Sequence, residues 1–375
     1  LPIGLTASVV GALWPSLGAW LIAPAVFLVD QIIRCAHFFS ELPGSRLPLP
    51  NVGLQEFIIA CMASFTLLWL LSRPTRRRLI PSLAATVVLI TALVISPSIL
   101  SRTTDLTVVF LNAGKSDATF VQPPGSGGLL IDAGQRNAYF DVGRSIVRPF
   151  FQFRGIRSLS GAVITHPQMD HMGGFLSVLE RTSTQRLWWN DLEYRPPFLS
   201  RIIDAATARD AKLLPGDRTA PPTRIGGADL RFLNAPGGKI RKWRNHQDVN
   251  NASAVLRIDF GQVSFLLPGD LGFEGEKELL QSKVPLKATI LKVGHHGCKE
   301  SSSMEFLWAV QPEAAVISCD DYILGKCPDP QVMERLRRVG AQLYWTGRDG
   351  TVTIRTDGKG WSAQTGRDMP KQPPK

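Results

Sequence analysis

Cysteine is scarce in this chain: five in 375 residues, at positions 35, 61, 298, 319 and 327, with no Cys-x-x-Cys pair. So few, so irregularly spaced, exclude a disulfide-framework fold and a structural zinc held by paired cysteines; packing is the expected role of most of them. Charge is nearly missing from the first part. Residues 1–101 hold only Asp30, Glu41 and Glu56 as acids, with six arginines, so +8 of the formal net charge of +11 falls on the remainder. An apolar leader therefore precedes a basic, soluble portion. A cleavable signal is not expected, because two further apolar runs follow the first. The chain opens at Leu1 inside apolar sequence, as expected of a piece of a longer membrane protein.

Residues 54–71 and 79–100 each approach the roughly 20 apolar residues that cross a bilayer. A third run, residues 5–29, is interrupted by Pro15 and Pro24 and reads either as a span or as a buried amphipathic segment. Between the other two lies "RPTRRR", residues 73–78, which the positive-inside rule places in the cytoplasm. Everything after residue 101 is then expected outside the cytoplasm. There Cys298, Cys319 and Cys327 can oxidise, and the odd one stays free or coordinates something.

From residue 106 the pattern changes to short β-branched runs ended by Gly, Asp or Asn, interleaved with helical periodicity such as residues 198–214, 275–282 and 330–340. This predicts an α/β layered sandwich over residues 102–360, with 361–375 a disordered tail. Segment 184–245 shows no clear pattern. The polar residues fall at strand ends: His166 with His171, His295 with His296, and Asp132 and Asp270 after two further strands. Strand ends aim side chains into a shared cleft from a rigid sheet. Imidazoles and carboxylates together suit zinc or manganese in hydrolytic sites. A lone Gly-Asp such as Gly269-Asp270 is ordinarily a turn; "HPQMDHMGG", residues 166–174, directly after an apolar strand, is a much stronger signal of metal binding. His37 is expected to be structural, and His246 either a ligand or a solvated loop residue, the loop being the favoured reading. The basic excess fits a polyanion such as nucleic acid.

Seven blocks in order, "FLNAGKSDATFVQ", "LLIDAG", "GRSIVRPFFQFRGI", "GAVITHPQMDHMGG", "NNASAVLRIDFGQVSFLLPGDL", "LKVGHHGCKESSS" and "PEAAVIS", resemble the C-terminal domain of the ComEC family of competence DNA-uptake channels, over about residues 105–355. The leader resembles the membrane helices that precede that domain. The resemblance implies an αββα sandwich of metallo-β-lactamase type after transmembrane helices in a bacterial cell membrane. It also implies DNA, membrane lipid, other competence proteins and further copies of the chain as partners. The implied activity is phosphodiester hydrolysis of the strand that is not imported, with one or two zinc or manganese ions. Carried over by position, His166, Asp170 and His171 match the metal loop, Asp270 the bridging carboxylate, and His295 or His296 the last histidine motif. Asp170 and Asp270 are thereby the expected catalytic carboxylates. Asp117 and Asp132 match positions that orient the site.

Four positions depart from that pattern. Gln168 stands where the family has His or Asp, Asn112 where it has Asp, and Lys115-Ser116 where it has Gln-Gly; "LGKCPDP" replaces a histidine with Lys326 or Cys327. Gln168 is a weak neutral ligand, and Cys327 could bind zinc as thiolate. Three readings stay open: a nuclease with altered metal occupancy, a non-catalytic scaffold that guides DNA, and a membrane-tethered hydrolase of another substrate.

Overall fold

A computed structural model describes residues 10–41, 104–190, 195–235, 246–320 and 327–367. The apolar runs at 54–71 and 79–100 and the arginine cluster at 73–78 lie outside the described residues.

The N-terminal unit contains a helix over Pro15–Glu41, and its Pro15–Phe38 stretch is long and apolar enough to cross a membrane. Asp30 and Arg34 are charged residues inside this apolar stretch, and the helix continues for three turns beyond Asp30. Arg34 lies one turn beyond Asp30 and its Nε donates to the Asp30 carboxylate at 2.7 Å, which neutralises both charges within the helix. Pro15 sits at the first helical position, where its missing N–H costs nothing.

Two sheets form the second unit. In hydrogen-bonded order the eight-stranded sheet runs Trp361–Thr365, Val352–Thr356, Leu106–Phe110, Thr119–Gln122, Leu129–Ile131, Gly161–Ile164, Arg186–Trp189 and Lys212–Pro215. The seven-stranded sheet runs Gln342–Trp345, Ala314–Ile317, Ile290–Lys292, Val263–Leu267, Leu256–Phe260, Ala228–Phe232 and Thr223–Ile225. Each sheet joins an antiparallel half to a parallel half. The parallel pairings are Leu129–Ile131 with Gly161–Ile164 and onward in one sheet, and Val263–Leu267 with Ile290–Lys292 and onward in the other. Parallel strands are covered on both faces and read as continuous apolar runs, as "AVI" at 162–164 and "AAVI" at 314–317 do.

Leu106, Val108, Phe110, Phe265, Ile290 and Val316 belong to the layer between the sheets. Phe151, Phe175, Val178 and Ile202 pack helices on the outside of the first sheet, and Leu279, Phe306, Leu307 and Leu336 do the same on the second. The order is helix, sheet, sheet, helix, as expected. Three local expectations are corrected. Helix Pro197–Thr207 ends before the periodicity does, and Lys212–Pro215 is an edge strand. The tail predicted from residue 361 begins with a strand, Trp361–Thr365, paired along Val352–Thr356, because alternation in "WSAQT" continues the hairpin. The unpatterned segment 184–245 supplies Arg186–Trp189, Lys212–Pro215, Thr223–Ile225 and Ala228–Phe232; Lys212–Pro215 and Thr223–Ile225 are half-exposed edge strands with little periodicity to read.

Candidate metal centre

Parallel strands in both sheets end at one cleft. Asp132 follows Leu129–Ile131, His166 follows Gly161–Ile164, Asp270 follows Val263–Leu267, and His295-His296 follow Ile290–Lys292. The carboxyl ends of parallel strands are where such sheets place ligand-binding loops, since the next helix must begin there and leaves its loop exposed to a crevice.

His171 is fully buried at the end of a one-turn helix, Met169–Met172. Its backbone carbonyl accepts from Ala133 N at 2.8 Å, and Asp117 N donates to the Asp170 carbonyl at 3.2 Å, so the loop is fixed on both sides. Gly174 is required next to it: a Cβ there would run into the Ala133 carbonyl and the Gly143 backbone.

Four side chains converge. Asp270 Oδ2 lies 3.2 Å from His171 Nε2 and 3.3 Å from His296 Nε2, and His296 Nε2 lies 3.8 Å from Asp170 Oδ2. The far side of each imidazole is committed. His171 Nδ1 is 2.8 Å from Asp132 Oδ2, and His296 Nδ1 is 3.0 Å from the Ser318 carbonyl, which can only accept. Each Nδ1 therefore carries the proton in the neutral ring, and each Nε2 presents a lone pair to Asp270. Both Nε2 atoms and Asp270 Oδ1 are buried with no aligned hydrogen bond among the described residues. Ligand bonds of about 2.0 Å in tetrahedral geometry separate neighbouring donors by roughly 3.3 Å, so the two short spacings match donors that share an ion.

Asp117 also brings a carboxylate within 4.8 Å of His171, Asp270 and His296. It is already neutralised: the buried Lys292 ammonium is in ion-pair contact with Asp117 Oδ2. Burial opposes the charge on Lys292, but Asp117 and Asp270 outweigh it and raise its pKa. Asp170, 37% exposed at its side chain and facing His296, is the better fourth donor.

Burial works against the charged forms of Asp270, His171 and His296, and mutual attraction overcomes it. The carboxyl of Asp270 is held well below the usual range by the two imidazoles; His171 is pushed up by Asp270 and Asp132, and His296 to about 10 by Asp270 and Asp117. A divalent cation would replace those two protons as the counter-charge, so the donor set fits a metal ion.

The other expected residues divide. His166 is buried with its ring 4.1 Å from that of His171, and burial followed by the His171 charge lowers its pKa to about 3. Its Nδ1 faces Thr165 Oγ1 and Ser253 Oγ at 3.1 and 3.3 Å, and its Nε2 is buried without a hydrogen-bond partner among the described residues. His295 is a correction: it is turned from the cluster, its Nε2 3.2 Å from Asn250 Nδ2. Gln168 is turned away as well, donating to Asn250 Oδ1 at 2.5 Å and to the His246 carbonyl at 3.2 Å. Asp132 is an orienting group, with Oδ1 accepting from Thr165 N at 2.9 Å. Cys327 is not a ligand, because it forms a disulfide with Cys298; Cys319 is the buried free thiol, pushed up to about 11 by burial and then by Asp320. Lys326 lies outside the described residues. Lys292 was not foreseen; its signal is a lone cation inside an otherwise apolar strand.

Residues 111–320 match the family model "Metallo-beta-lactamase superfamily". ComE operon protein 3 of Bacillus subtilis is 29% identical over 261 residues, which are 66% of this chain and 33% of that protein. Competence protein ComA of Neisseria gonorrhoeae is 29% identical over 242 residues, 63% of this chain and 32% of that protein. The chain thus spans about a third of the length of these relatives, and the resemblance to competence proteins stands. Among solved structures, CmlA, a diiron beta-hydroxylase from Streptomyces venezuelae, aligns at a TM-score of 0.40 and 14% identity, over 64% of this chain and 52% of that one.

Proposed function

Because the chain belongs to the metallo-beta-lactamase superfamily and its relatives include competence proteins, we propose that it is a metal-dependent phosphodiesterase acting on DNA at a bacterial uptake channel. The observation that carries this is the convergence of Asp170, His171, Asp270 and His296 donors described above. One divalent ion per chain, zinc or manganese, would be held by these four. His166 offers a lone donor to a second position whose other expected ligand, Gln168, is engaged with Asn250.

When bound, such an ion supplies Lewis acidity and an acidified water at neutral pH. The protein's own share is orientation and proton handling. Asp132 fixes the His171 ring through Nδ1, and the Ser318 carbonyl fixes His296. Asp170, the half-exposed member, is placed to accept a proton from attacking water and to return one to the leaving oxygen. Lys292 and Asp117 stay paired and keep the floor of the cleft electrically balanced.

The Cys298–Cys327 disulfide supports an oxidising, extracytoplasmic site for this domain. The Pro15–Phe38 helix supports attachment to the membrane. DNA is the substrate class that fits a basic domain whose relatives serve competence, and the channel's other proteins and further copies of the chain are its expected neighbours.

Metal content and cleavage of single-stranded DNA, measured together on the wild type and on Asp170→Ala, test this. The expected result is one metal per chain and cleavage that depends on it. Equal cleavage by Asp170→Ala would refute the assignment of the centre. A protein that binds DNA and no metal would instead be a guiding module.

A further inference from the structure

Lys292 is the one charged residue of the strand Ile290–Lys292, and it is only 3% exposed. An ammonium leaves water only where an anion and polar partners replace its hydration. Asp117, in the loop that follows the strand Leu106–Phe110 of the other sheet, is that anion, in ion-pair contact through Oδ2. The Gly269 carbonyl, one residue before Asp270, lies 3.5 Å from the same Nζ. Lys292 thus bridges the half of the centre that carries Asp170 and His171 and the half that carries Asp270 and His296.

Asp117 stands behind both imidazoles. Its Oδ2 is 3.7 Å from His171 Nδ1 and its Oδ1 is 3.7 Å from His296 Nδ1, the ring atoms that carry the protons. Each proton has a nearer acceptor: Asp132 for His171 at 2.8 Å, and the Ser318 carbonyl for His296 at 3.0 Å. A carboxylate with no cation of its own would compete for both, and a charged acceptor outbids the neutral Ser318 carbonyl. The Asp117 backbone is fixed in place, since its N–H donates to the Asp170 carbonyl at 3.2 Å and its carbonyl accepts from Gly134 N at 2.7 Å. The Lys292 ammonium is what occupies the side chain.

We infer that Lys292 is a positioning residue of the metal centre: by engaging Asp117 it leaves each Nδ1–H on its own acceptor, so that both Nε2 atoms stay aimed at Asp270 and the ion. This rests on the metal-centre reading above and adds to it a residue that acts through Asp117 and not on the ion. The dependence runs both ways. Without the ammonium, Asp117 draws on the Nδ1–H of His171 or His296 and turns the ring. Without the carboxylate, the ammonium turns to Asp270, because burial opposes its charge and Asp117 first, then Asp270, sustain it. A ligand of the ion is then lost to Lys292. Removing one partner of a buried pair leaves an uncompensated charge, whereas removing both leaves none.

The test is a double-mutant cycle on the whole chain in detergent, with Lys292→Met, Asp117→Asn and the double variant. It is read by cobalt(II) titration and by the cobalt d–d spectrum, which reports coordination geometry. Each single variant is expected to bind cobalt about 10- to 100-fold more weakly than the wild type and to change the spectrum. The double variant is expected to regain the wild-type spectrum and an affinity within about threefold of it. Near-UV circular dichroism identifies folded samples; if one single variant does not fold, the other against the double carries the comparison. Single variants that bind as the wild type does, or a double variant weaker than either single, overturn the inference. So does a double variant that recovers wild-type stability in urea but not the cobalt spectrum, since the pair then serves the fold and not the rings. If the wild type takes up no cobalt, the metal-centre reading fails and this inference with it.

Discussion

Asp132 Oδ2 accepts a hydrogen bond from His171 Nδ1 at 2.8 Å, and the same carboxylate takes both the amide and the hydroxyl of Thr165. Asp132 sits in left-handed backbone geometry, φ +55°, at the end of its strand. The carboxylate thereby ties two parallel strand ends and one imidazole into a single unit, and this unit holds the Nε2 of His171 toward Asp270. The neighbouring Thr165 Oγ1 also reaches His166 at 3.1 Å, so one carboxylate governs both histidines of the loop.

Replacing Asp132 by Asn keeps the shape and removes the acceptor strength that holds the ring. Metal affinity is expected to fall about 10- to 100-fold with the fold intact. Competition against a chromophoric chelator, with near-UV circular dichroism as the control for packing, measures it. Unchanged affinity would show that the ring is held by packing alone.

Gln168→Ala is expected to do much less. Its amide is spent on Asn250 and the His246 carbonyl, so metal stoichiometry stays at one and affinity changes by less than about threefold, given that no donor to the ion is removed. The same chelator competition decides it. A loss as large as that for Asp270→Ala would return Gln168 to the ligand set.

How much of this was legible in the residues follows from how local each signal is. "HPQMDHMGG" after an apolar strand placed His166, Asp170 and His171, since strand end, loop and glycines are contiguous in sequence. The choice between His295 and His296 was not legible. Both adopt left-handed backbone, φ 47° and 53°, and the sharp turn sends one ring to Asn250 and the other to Asp270. The pairing of Cys298 with Cys327 joins residues 29 apart in sequence, and no spacing rule gives that. Lys292 against Asp117 likewise joins a strand of one sheet to a loop of the other, 175 residues apart in number, visible only once both are in place.

The Cys298–Cys327 disulfide begins two residues after His296 and closes a 29-residue separation. Loop-closure entropy for that length gives about 3–4 kcal/mol of stabilisation. The double variant Cys298→Ser, Cys327→Ser is expected to lose this in urea unfolding, and to bind metal more weakly because the ligand loop loses one anchor. The loop keeps others: Ser301 Oγ donates to the Gly294 carbonyl at 2.9 Å, and Arg335 Nε to the Ser302 carbonyl at 2.8 Å. Metal binding should therefore weaken without vanishing. Abolished binding in a folded variant would mean that the disulfide alone sets the His296 geometry.

Glu276 offers a pH test away from the metal ligands. Its carboxylate is buried and accepts from Ser302 N at 2.5 Å and Ser303 N at 2.8 Å, at the far end of the same loop. Burial raises its pKa, and the hydrogen bonds from Ser303 and Ser302 and the charge of Arg335 only partly offset that. A carboxyl whose pKa is raised by folding binds its proton more tightly in the folded chain. Its contribution is full below the ordinary value of 4.5 and is lost as pH rises through the folded value. Wild-type stability relative to Glu276→Gln is thus expected to decline as pH climbs from about 4 toward neutrality and to level off beyond. Urea midpoints of the two proteins across that window decide it: a wild type that gains on the variant with rising pH would mean that the two amide donors and Arg335 outweigh burial, and that Glu276 is a net anchor of the loop in its charged form.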